Sequence, residues 1–185
     1  MENLSSKQNL LMTNLYKFYE TPDHVDIILP ILKGEITISL RIIDWFVTNY
    51  SKKYNIIYTV NKYKNGKSVK ENFSVHLNYK NQLKAYSKKQ FDPFCRRERI
   101  HFYYNKENYL ITTVGQLNFF RWIIENNIIT YMSENIDIIE TDMTDNINKH
   151  YKSKKVNKRR KRKELSVSAT KTLNKHKLNI ILDFD

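Results

Sequence analysis

The Asn-Gly pair at positions 65 and 66 most strongly constrains what this chain can fold into. It separates two runs rich in β-branched and aromatic residues, Ile56–Lys64 and Ser68–Asn78, and the second run has apolar side chains at every second position. Two such runs joined by Asn-Gly favour a tight turn whose central residues take positive φ. The sequence therefore predicts a β-hairpin, and with it antiparallel strand pairing.

Apolar residues at helical spacing predict helices on both sides of this hairpin. The first helix is predicted over Thr37–Tyr54, with Ser39 as its N-cap. The second is predicted from about 114 to 126, after a Thr113-x-x-Gln116 pattern that is typical of a capping box. A third and more acidic helix is predicted over Ser133–Asn146.

Two further short strands are predicted at Ile100–Tyr104 and Tyr109–Thr112. The apolar run Val25–Leu32 contains Pro30, which cannot donate to a strand ladder, so an edge strand or a docked extended segment is predicted there. The order of helix, hairpin, basic segment, two strands and helix is typical of an α+β domain. We predict a small antiparallel sheet with two or three packed helices, plus a basic C-terminal extension.

The composition along the chain predicts four parts. These are an N-terminal arm (1–24), an α+β domain (25–148), a basic tail (149–177) and a terminal strand-like segment (178–185). The apolar share of 41% and the aromatic share of 13% are sufficient for one folded core. The terminal segment is β-prone, so it is expected to dock as an edge strand on this protein or a partner, or to be the last strand of the fold.

Several classes of function are not indicated by the sequence. A single cysteine, Cys95, excludes a disulfide framework and a multi-cysteine metal site, and three glycines are too few for a phosphate-binding Gly-rich loop. No run approaches the length of an apolar membrane span, and the N-terminus lacks the pattern of a secretion signal. We expect a soluble intracellular protein without membrane association, catalytic residues, metal or cofactor.

The net charge of +13 belongs mainly to the tail, because residues 149–185 hold 13 Lys or Arg and three acids. Lys, Asn, Ile and Tyr, the residues of A/T-rich codons, make up 79 of 185 positions, so scattered lysines carry little information. Arginine runs against that bias. Six of the eight arginines form two clusters: Arg96, Arg97 and Arg99, and Arg159, Arg160 and Arg162.

The basic run of the tail has three interpretations. The first is sequence-independent phosphate binding, which the release of condensed counterions drives. The second is a nuclear localisation signal, and the third is a solvated tail without a partner. We favour the first, which is compatible with the second. The residues predicted to hold phosphates are Lys154, Lys155, Lys158, Arg159, Arg160, Lys161, Arg162 and Lys163.

A second basic stretch, Tyr79–Arg99, interleaves cations with aromatic rings. Cations pair with phosphates while rings stack on bases, so the pattern is typical of nucleic-acid binding. Lys80, Lys84 and Lys88 are four residues apart and would share one face of a short helix. A solvated face whose aromatic rings enter the core accounts for the pattern equally well. The predicted contacts are Lys88, Lys89, Arg96, Arg97 and Arg99, with Tyr86 and Phe94 as stacking residues.

Three stretches, Leu40–Tyr50, Tyr79–Arg99 and Gly115–Trp122, resemble uncharacterised small basic proteins of mimivirus-like giant viruses, which are nucleocytoplasmic large DNA viruses. The bias toward Lys, Asn and Ile suits the A/T-rich genomes of these viruses. The resemblance covers roughly residues 37–130 and implies a context, the viral factory or the virion. It implies no activity, and no catalytic or binding residue is carried over from it.

The sequence thus favours a non-enzymatic, sequence-tolerant nucleic-acid-binding protein of a large DNA virus, acting in the virion core, in packaging or in the viral factory. Its partner would be DNA or RNA, held through phosphates, and a nuclear location is compatible with the basic run. The alternative is a structural or interaction protein of the virion whose tail docks acidic viral partners. A weaker alternative is a nuclease-like enzyme whose acids meet only in the fold.

Overall fold

The computed structural model of the protein describes residues 6–64, 66–94 and 96–156. Its contacts divide the chain into two compact units, residues 1–146 and residues 147–185. The first part of the chain forms α1 (Ser6–Tyr19), α2 (Pro22–Lys33), α3 (Leu40–Trp45), a π-helical turn (Phe46–Tyr50) and α4 (Ser51–Lys53). The remainder forms β1 (Ile57–Lys64), β2 (Lys67–Ser74), α5 (Val75–Gln90), β3 (Ile100–Tyr103), β4 (Tyr109–Thr112), α6 (Val114–Glu125), α7 (Ile128–Glu134) and α8 (Ile136–Val156). The predicted α+β class is confirmed.

Helix α6 lies at the centre of the core. Its sequence is apolar on nearly every side, as expected for a helix surrounded by other elements, and Val114 to Phe120 are all buried. Helices α1, α2, α5 and α7 all pack against α6. Tyr19 of α1 donates its buried hydroxyl to the carbonyl of Leu117 at 2.8 Å, so this contact leaves no polar group unpaired.

Helix α1 lies within the segment that the sequence indicates as an N-terminal arm. Its side chains Leu11, Met12 and Leu15 are buried in the same core as α6. Residues 1–24 therefore carry a helix that contributes to the core of the first unit. No helix within the described ranges is long and apolar enough to cross a membrane.

The predicted helix starts are confirmed at two side-chain caps. Ser39 accepts a hydrogen bond from the backbone N–H of Ile42 at 3.4 Å, and Thr113 accepts one from Gln116 at 3.1 Å. Each bond satisfies one of the backbone donors that the first turn of a helix leaves unpaired. After α3, the chain continues through the π-helical turn into α4, so the predicted first helix is interrupted in its hydrogen-bond pattern.

The predicted hairpin and the two further predicted strands are confirmed. β1 pairs antiparallel with β2, with Lys64 opposite Lys67, and Gly66 has the positive φ of 74° that the predicted tight turn needs. β3 pairs antiparallel with β4, with Tyr103 opposite Tyr109. In the part of the chain that the structure describes, these four strands form two separate two-stranded sheets.

The prediction of an edge strand over Val25–Leu32 is wrong, because these residues lie in α2. Pro22 occupies the first turn of α2, where a missing N–H removes no intrahelical bond. Val25, Ile28 and Ile31 are buried at a spacing of three residues, which gives one face of a helix. Gly34 ends the helix with a left-handed φ of 72°.

The predicted strand Ser68–Asn78 is also too long, since β2 ends at Ser74 and α5 begins at Val75. The alternation of Phe73, Val75 and Leu77 predicts one buried strand face, but Leu77 is 62% exposed. Val75 is buried, and Tyr79 and Leu83 pack against the core at four-residue intervals. The burial pattern from Val75 onward is therefore helical.

Asp142 of α8 is a buried carboxylate that three donors share. Trp45 Nε1 lies 3.2 Å from it, the Tyr54 hydroxyl lies 3.1 Å away, and the Lys53 ammonium forms an ion pair with it. Burial raises the pKa of Asp142, but the hydrogen bonds from Lys53, Tyr54 and Trp45 outweigh burial and hold the pKa below its ordinary value. These bonds connect α8 to the α3–α4 region.

Replacing Asp142 by Asn is expected to lower the midpoint temperature of unfolding by several degrees at neutral pH. Because the folded state depresses the pKa, the ionised carboxylate stabilises the fold above its ordinary pKa of about 3.9, and this contribution is lost as pH falls through the folded-state value. Thermal unfolding at neutral and acidic pH measures the difference in midpoint temperature between wild type and variant. A difference that grows on acidification would contradict this assignment; Asp145→Asn, an exposed position on the same helix, is the control.

Candidate functional site

A cavity of about 290 Å³ is lined by side chains from α3, α5 and the segment that follows α5. It combines three kinds of chemistry. Its cations are Lys88, Arg96 and Arg97, its acids are Asp44 and Asp92, and its remaining lining is Tyr79, Leu83, Phe91 and Pro93. Three of the predicted contact residues therefore meet at one place in the fold, and we call this place the cationic cavity.

The wall of the cationic cavity is anchored in the core by Phe91. This side chain is only 1% exposed, and its ring packs edge-on against Phe119 at 5.3 Å and Trp122 at 5.5 Å between centroids. Both partner rings belong to α6, the central helix of the fold. The segment that carries the arginines is thus attached directly to the most buried element.

Two side-chain amides of α6 hold the backbone of the same segment. Gln116 Nε2 donates to the carbonyl of Pro93 at 2.7 Å, and Asn118 Nδ2 donates to the carbonyl of Gln90 at 2.9 Å. The other end of the Gln116 amide accepts from the hydroxyl of Thr112 at 2.8 Å. Since Gln116 and Asn118 are buried, these bonds satisfy polar groups that would otherwise destabilise the core.

Gly115 allows the backbone to approach this closely. Its carbonyl accepts a hydrogen bond from the N–H of Asp92 at 3.2 Å. A Cβ atom built on Gly115 would lie 2.9 Å from the carbonyl oxygen of Lys89 and 3.3 Å from the backbone nitrogens of Phe91 and Asp92. Any larger residue therefore pushes the wall of the cationic cavity away from α6.

Asp92 fixes the position of the first arginine. Its Oδ1 accepts from the backbone N–H of Phe94 at 3.1 Å and from the Arg96 guanidinium at 3.2 Å. The guanidinium also lies over the Phe94 ring, 4.9 Å from its centroid, which is cation–π geometry. Arg96 nevertheless remains 67% exposed, so its charge is oriented while it stays available to a ligand.

Lys88 lines the cationic cavity directly after a bend in the chain. Ser87 has a φ of 60° and a ψ of 166°, which interrupts α5 and costs a non-glycine residue about 1–3 kcal/mol. The prediction that Lys80, Lys84 and Lys88 share one helical face is wrong, because a regular helix does not extend through Ser87. Of these three lysines, Lys88 is the one among the lining residues.

Asp44 and Tyr79 are the site residues that sequence reasoning missed. Burial raises the pKa of Asp44, the Arg96 charge opposes this, and the Asp92 charge adds to it. Burial also raises the pKa of Tyr79 to about 12, with further contributions from Asp44 and Asp92. A single acid inside the apolar run Ile42–Val47 was the available sequence signal for Asp44.

The two predicted stacking residues face protein groups. The Tyr86 ring is stacked with Phe91 at 6.4 Å between centroids, and its hydroxyl accepts from Arg121 at 3.4 Å. Phe94 lies beneath the Arg96 guanidinium. Lys89 and Arg99 are exposed but do not line the cationic cavity.

The tail contacts lie mostly beyond the part of the chain that the structure describes. Lys154 and Lys155 fall within α8, which extends to Val156. Lys158, Arg159, Arg160, Lys161, Arg162 and Lys163 lie outside the described residues, as does the strand-like segment 178–185. Within the described ranges, no three His, Cys, Asp or Glu side chains form a group that could hold a metal ion.

Comparison with known proteins identifies relatives without a described activity. The model of a family of unknown function, DUF7197, matches residues 2–185. The chain is 43% identical over 162 residues to the uncharacterized protein L507 of Acanthamoeba polyphaga mimivirus; the alignment covers 84% of this chain and 61% of that relative, so the chain spans less than two thirds of its length. No solved structure matches the chain. The predicted resemblance to mimivirus-like proteins is confirmed.

Replacing Gly115 by Ala tests the close approach between α6 and the cavity wall. Helix propensity alone predicts a gain of about 1 kcal/mol, because Ala favours a helix over Gly. The contact with the Lys89 carbonyl predicts the opposite, a loss of roughly 1–3 kcal/mol from overpacking. Urea unfolding should show a lower free energy of unfolding if overpacking dominates and a higher one if helix propensity dominates. An unchanged or raised value would contradict the close approach of Gly115 to the Lys89 carbonyl.

Proposed function

We propose that this chain, which belongs to the DUF7197 family of unknown function, is a non-enzymatic, sequence-tolerant nucleic-acid-binding protein of a large DNA virus. The chain's own side chains support this proposal. The observation that carries the proposal is the convergence of exposed Lys88, Arg96 and Arg97 at one cavity. Nucleic acid is the polyanion that such cations bind, through its phosphates. The proposed setting is the virion core, packaging or the viral factory, and a nuclear location is compatible with the basic run.

The folded domain and the tail would divide the binding between them. The tail holds ten Lys or Arg between Lys149 and Lys163 and no acid, so it supplies attraction without reading bases. The cationic cavity adds oriented charges on a rigid surface, because Asp92 and Phe94 hold Arg96 in place. Oriented cations lose less conformational freedom on binding than free lysines do.

Fluorescence anisotropy of the full-length protein on a duplex and on a single strand, across a salt series, tests the proposal. If the tail makes about six phosphate contacts on the duplex and Arg96 and Arg97 make two more, log K against log salt should have a slope of roughly −7. Replacing the six basic residues Lys158–Lys163 by Gln should remove most of that slope. The double variant Arg96→Gln, Arg97→Gln should reduce its magnitude by roughly 2.

The matched control replaces two lysines of α1 and α2, Lys17 and Lys33, by Gln, because these helices contribute nothing to the lining of the cationic cavity. It removes the same charge as the double arginine variant and should change the slope less. If the full-length protein binds neither strand form at low salt, the proposed function is wrong. Equal loss in the control and arginine variants would assign the effect to net charge alone.

One observation favours the alternative of a structural or interaction protein. The outer face of the β3–β4 hairpin carries Tyr103 at 57% exposure, Tyr109 at 48% and Ile111 at 51%, next to His101. An exposed apolar face of this kind is typical of a protein contact. Replacing Tyr103 and Tyr109 by Ser would then weaken capture of acidic virion proteins while leaving salt-dependent nucleic-acid binding unchanged.

The weaker alternative, a nuclease-like enzyme, is favoured by the two carboxylates of the cationic cavity, Asp44 and Asp92. Asp92 already accepts from Phe94 and Arg96. Incubating the same labelled strands with the protein and Mg²⁺ tests this alternative. Shortened strands would make the protein an enzyme and overturn the non-enzymatic part of the proposal.

A further inference from the structure

The lining of the cationic cavity includes two polar groups that phosphate binding does not use, a carboxylate and a phenolic hydroxyl. The carboxylate of Asp44 is partly buried in the lining, and within the described part of the chain no hydrogen bond reaches it. The Tyr79 hydroxyl in the same lining likewise has no hydrogen bond among the described residues. Both residues are half-buried, so water can pair with these groups, and a ligand that supplies hydrogen-bond donors to the carboxylate can replace that water.

The rest of the lining combines apolar surface with positive charge. The half-buried side chains of Tyr79 and Leu83 offer apolar surface, while Lys88, Arg96 and Arg97 supply positive charge. A complementary ligand therefore has an anionic group, a flat apolar body and hydrogen-bond donors. A nucleotide combines these three properties, and 290 Å³ lies near the lower end of the roughly 300–1,000 Å³ typical of small-molecule sites.

The identity of the base follows from the chemistry of an ionised carboxylate, which only accepts hydrogen bonds. Guanine presents two adjacent donors, N1–H and the N2 amino group, on its Watson–Crick edge. Adenine and cytosine place an acceptor nitrogen beside their amino group, and the N–H of thymine lies between two carbonyl oxygens. Asp44 therefore matches guanine, in the bidentate geometry that carboxylates form with paired donors.

We propose that the cationic cavity binds one unpaired guanine nucleotide, with Asp44 accepting from the guanine edge and Lys88, Arg96 and Arg97 holding its phosphate. The inference rests on the proposed function and extends it, because it gives a largely sequence-tolerant protein one base-selective position. A guanine inside a duplex cannot occupy the site, since its Watson–Crick edge is already paired.

The test uses full-length protein and a short fluorescent thymine strand with one central guanine. Replacing that guanine by hypoxanthine removes only the N2 amino group. Loss of one hydrogen bond to a charged acceptor is expected to weaken binding about tenfold. Adding the complementary strand should abolish the difference between the two bases.

Asp44→Asn should remove the preference for guanine over hypoxanthine, and the all-thymine strand should bind at least as tightly as to wild type because a negative charge leaves the cationic cavity. Since no described donor bonds to Asp44, the variant is expected to unfold at the same temperature as wild type or higher. Asp26→Asn, at an exposed position of α2, is the matched control and should keep the preference. Equal affinity of wild type for the guanine and hypoxanthine strands would overturn the inference without using any variant.

Free guanosine monophosphate distinguishes a strand ligand from a mononucleotide. If guanosine monophosphate displaces the guanine strand from the protein, and the all-thymine strand still binds with a salt-dependent affinity, both the guanine site and the proposed nucleic-acid binding hold. If all strands bind but guanine gives no advantage, the guanine site is wrong and the proposed function stands. If guanosine monophosphate binds and no strand does, the proposed function is wrong while the guanine site is kept for a free nucleotide.

Discussion

The attachment of the segment Gln90–Pro93 to the first turns of α6 is the interaction on which the rest of the site depends. Gln116 and Asn118 hold its carbonyls, and the Gly115 carbonyl accepts an N–H from it. All three α6 residues are buried, so these bonds form in an environment where water cannot replace them. The exposed arginines that follow are thereby attached to the rigid centre of the fold rather than to a free loop.

This attachment brings opposite charges together without neutralising the site. Asp92 uses its carboxylate to orient Arg96, which remains largely exposed. Asp44 enters the lining from α3, and its carboxylate accepts no hydrogen bond from the described residues. In the proposed guanine site, this carboxylate would let the cationic cavity discriminate between ligands by hydrogen bonding. In the proposed function, the tail contributes long-range attraction and the cavity contributes orientation.

Much of the fold was predictable because its information is local. The Asn-Gly pair, the capping residues Ser39 and Thr113 and the period-two strands each depend on hydrogen bonds within a few residues. The errors arose where one local pattern fits two structures. Val25–Leu32 contains a proline that discourages a helix interior, yet Pro22 at the first turn and Gly34 beyond the last made α2 the better solution.

The sequence by itself determined the hairpins, the capped helices, the α+β class and the uneven distribution of positive charge. It also indicated Lys88, Arg96 and Arg97 as candidate contacts, because clustered cations interleaved with aromatic rings form a local pattern. Only the tertiary structure decided that they share a cavity with Asp44, which lies more than forty residues earlier in the chain. The physical reason is that this convergence depends on the packing of α3, α5 and the following segment, and packing depends on the shape and hydrogen bonds of distant side chains that no short stretch of sequence contains.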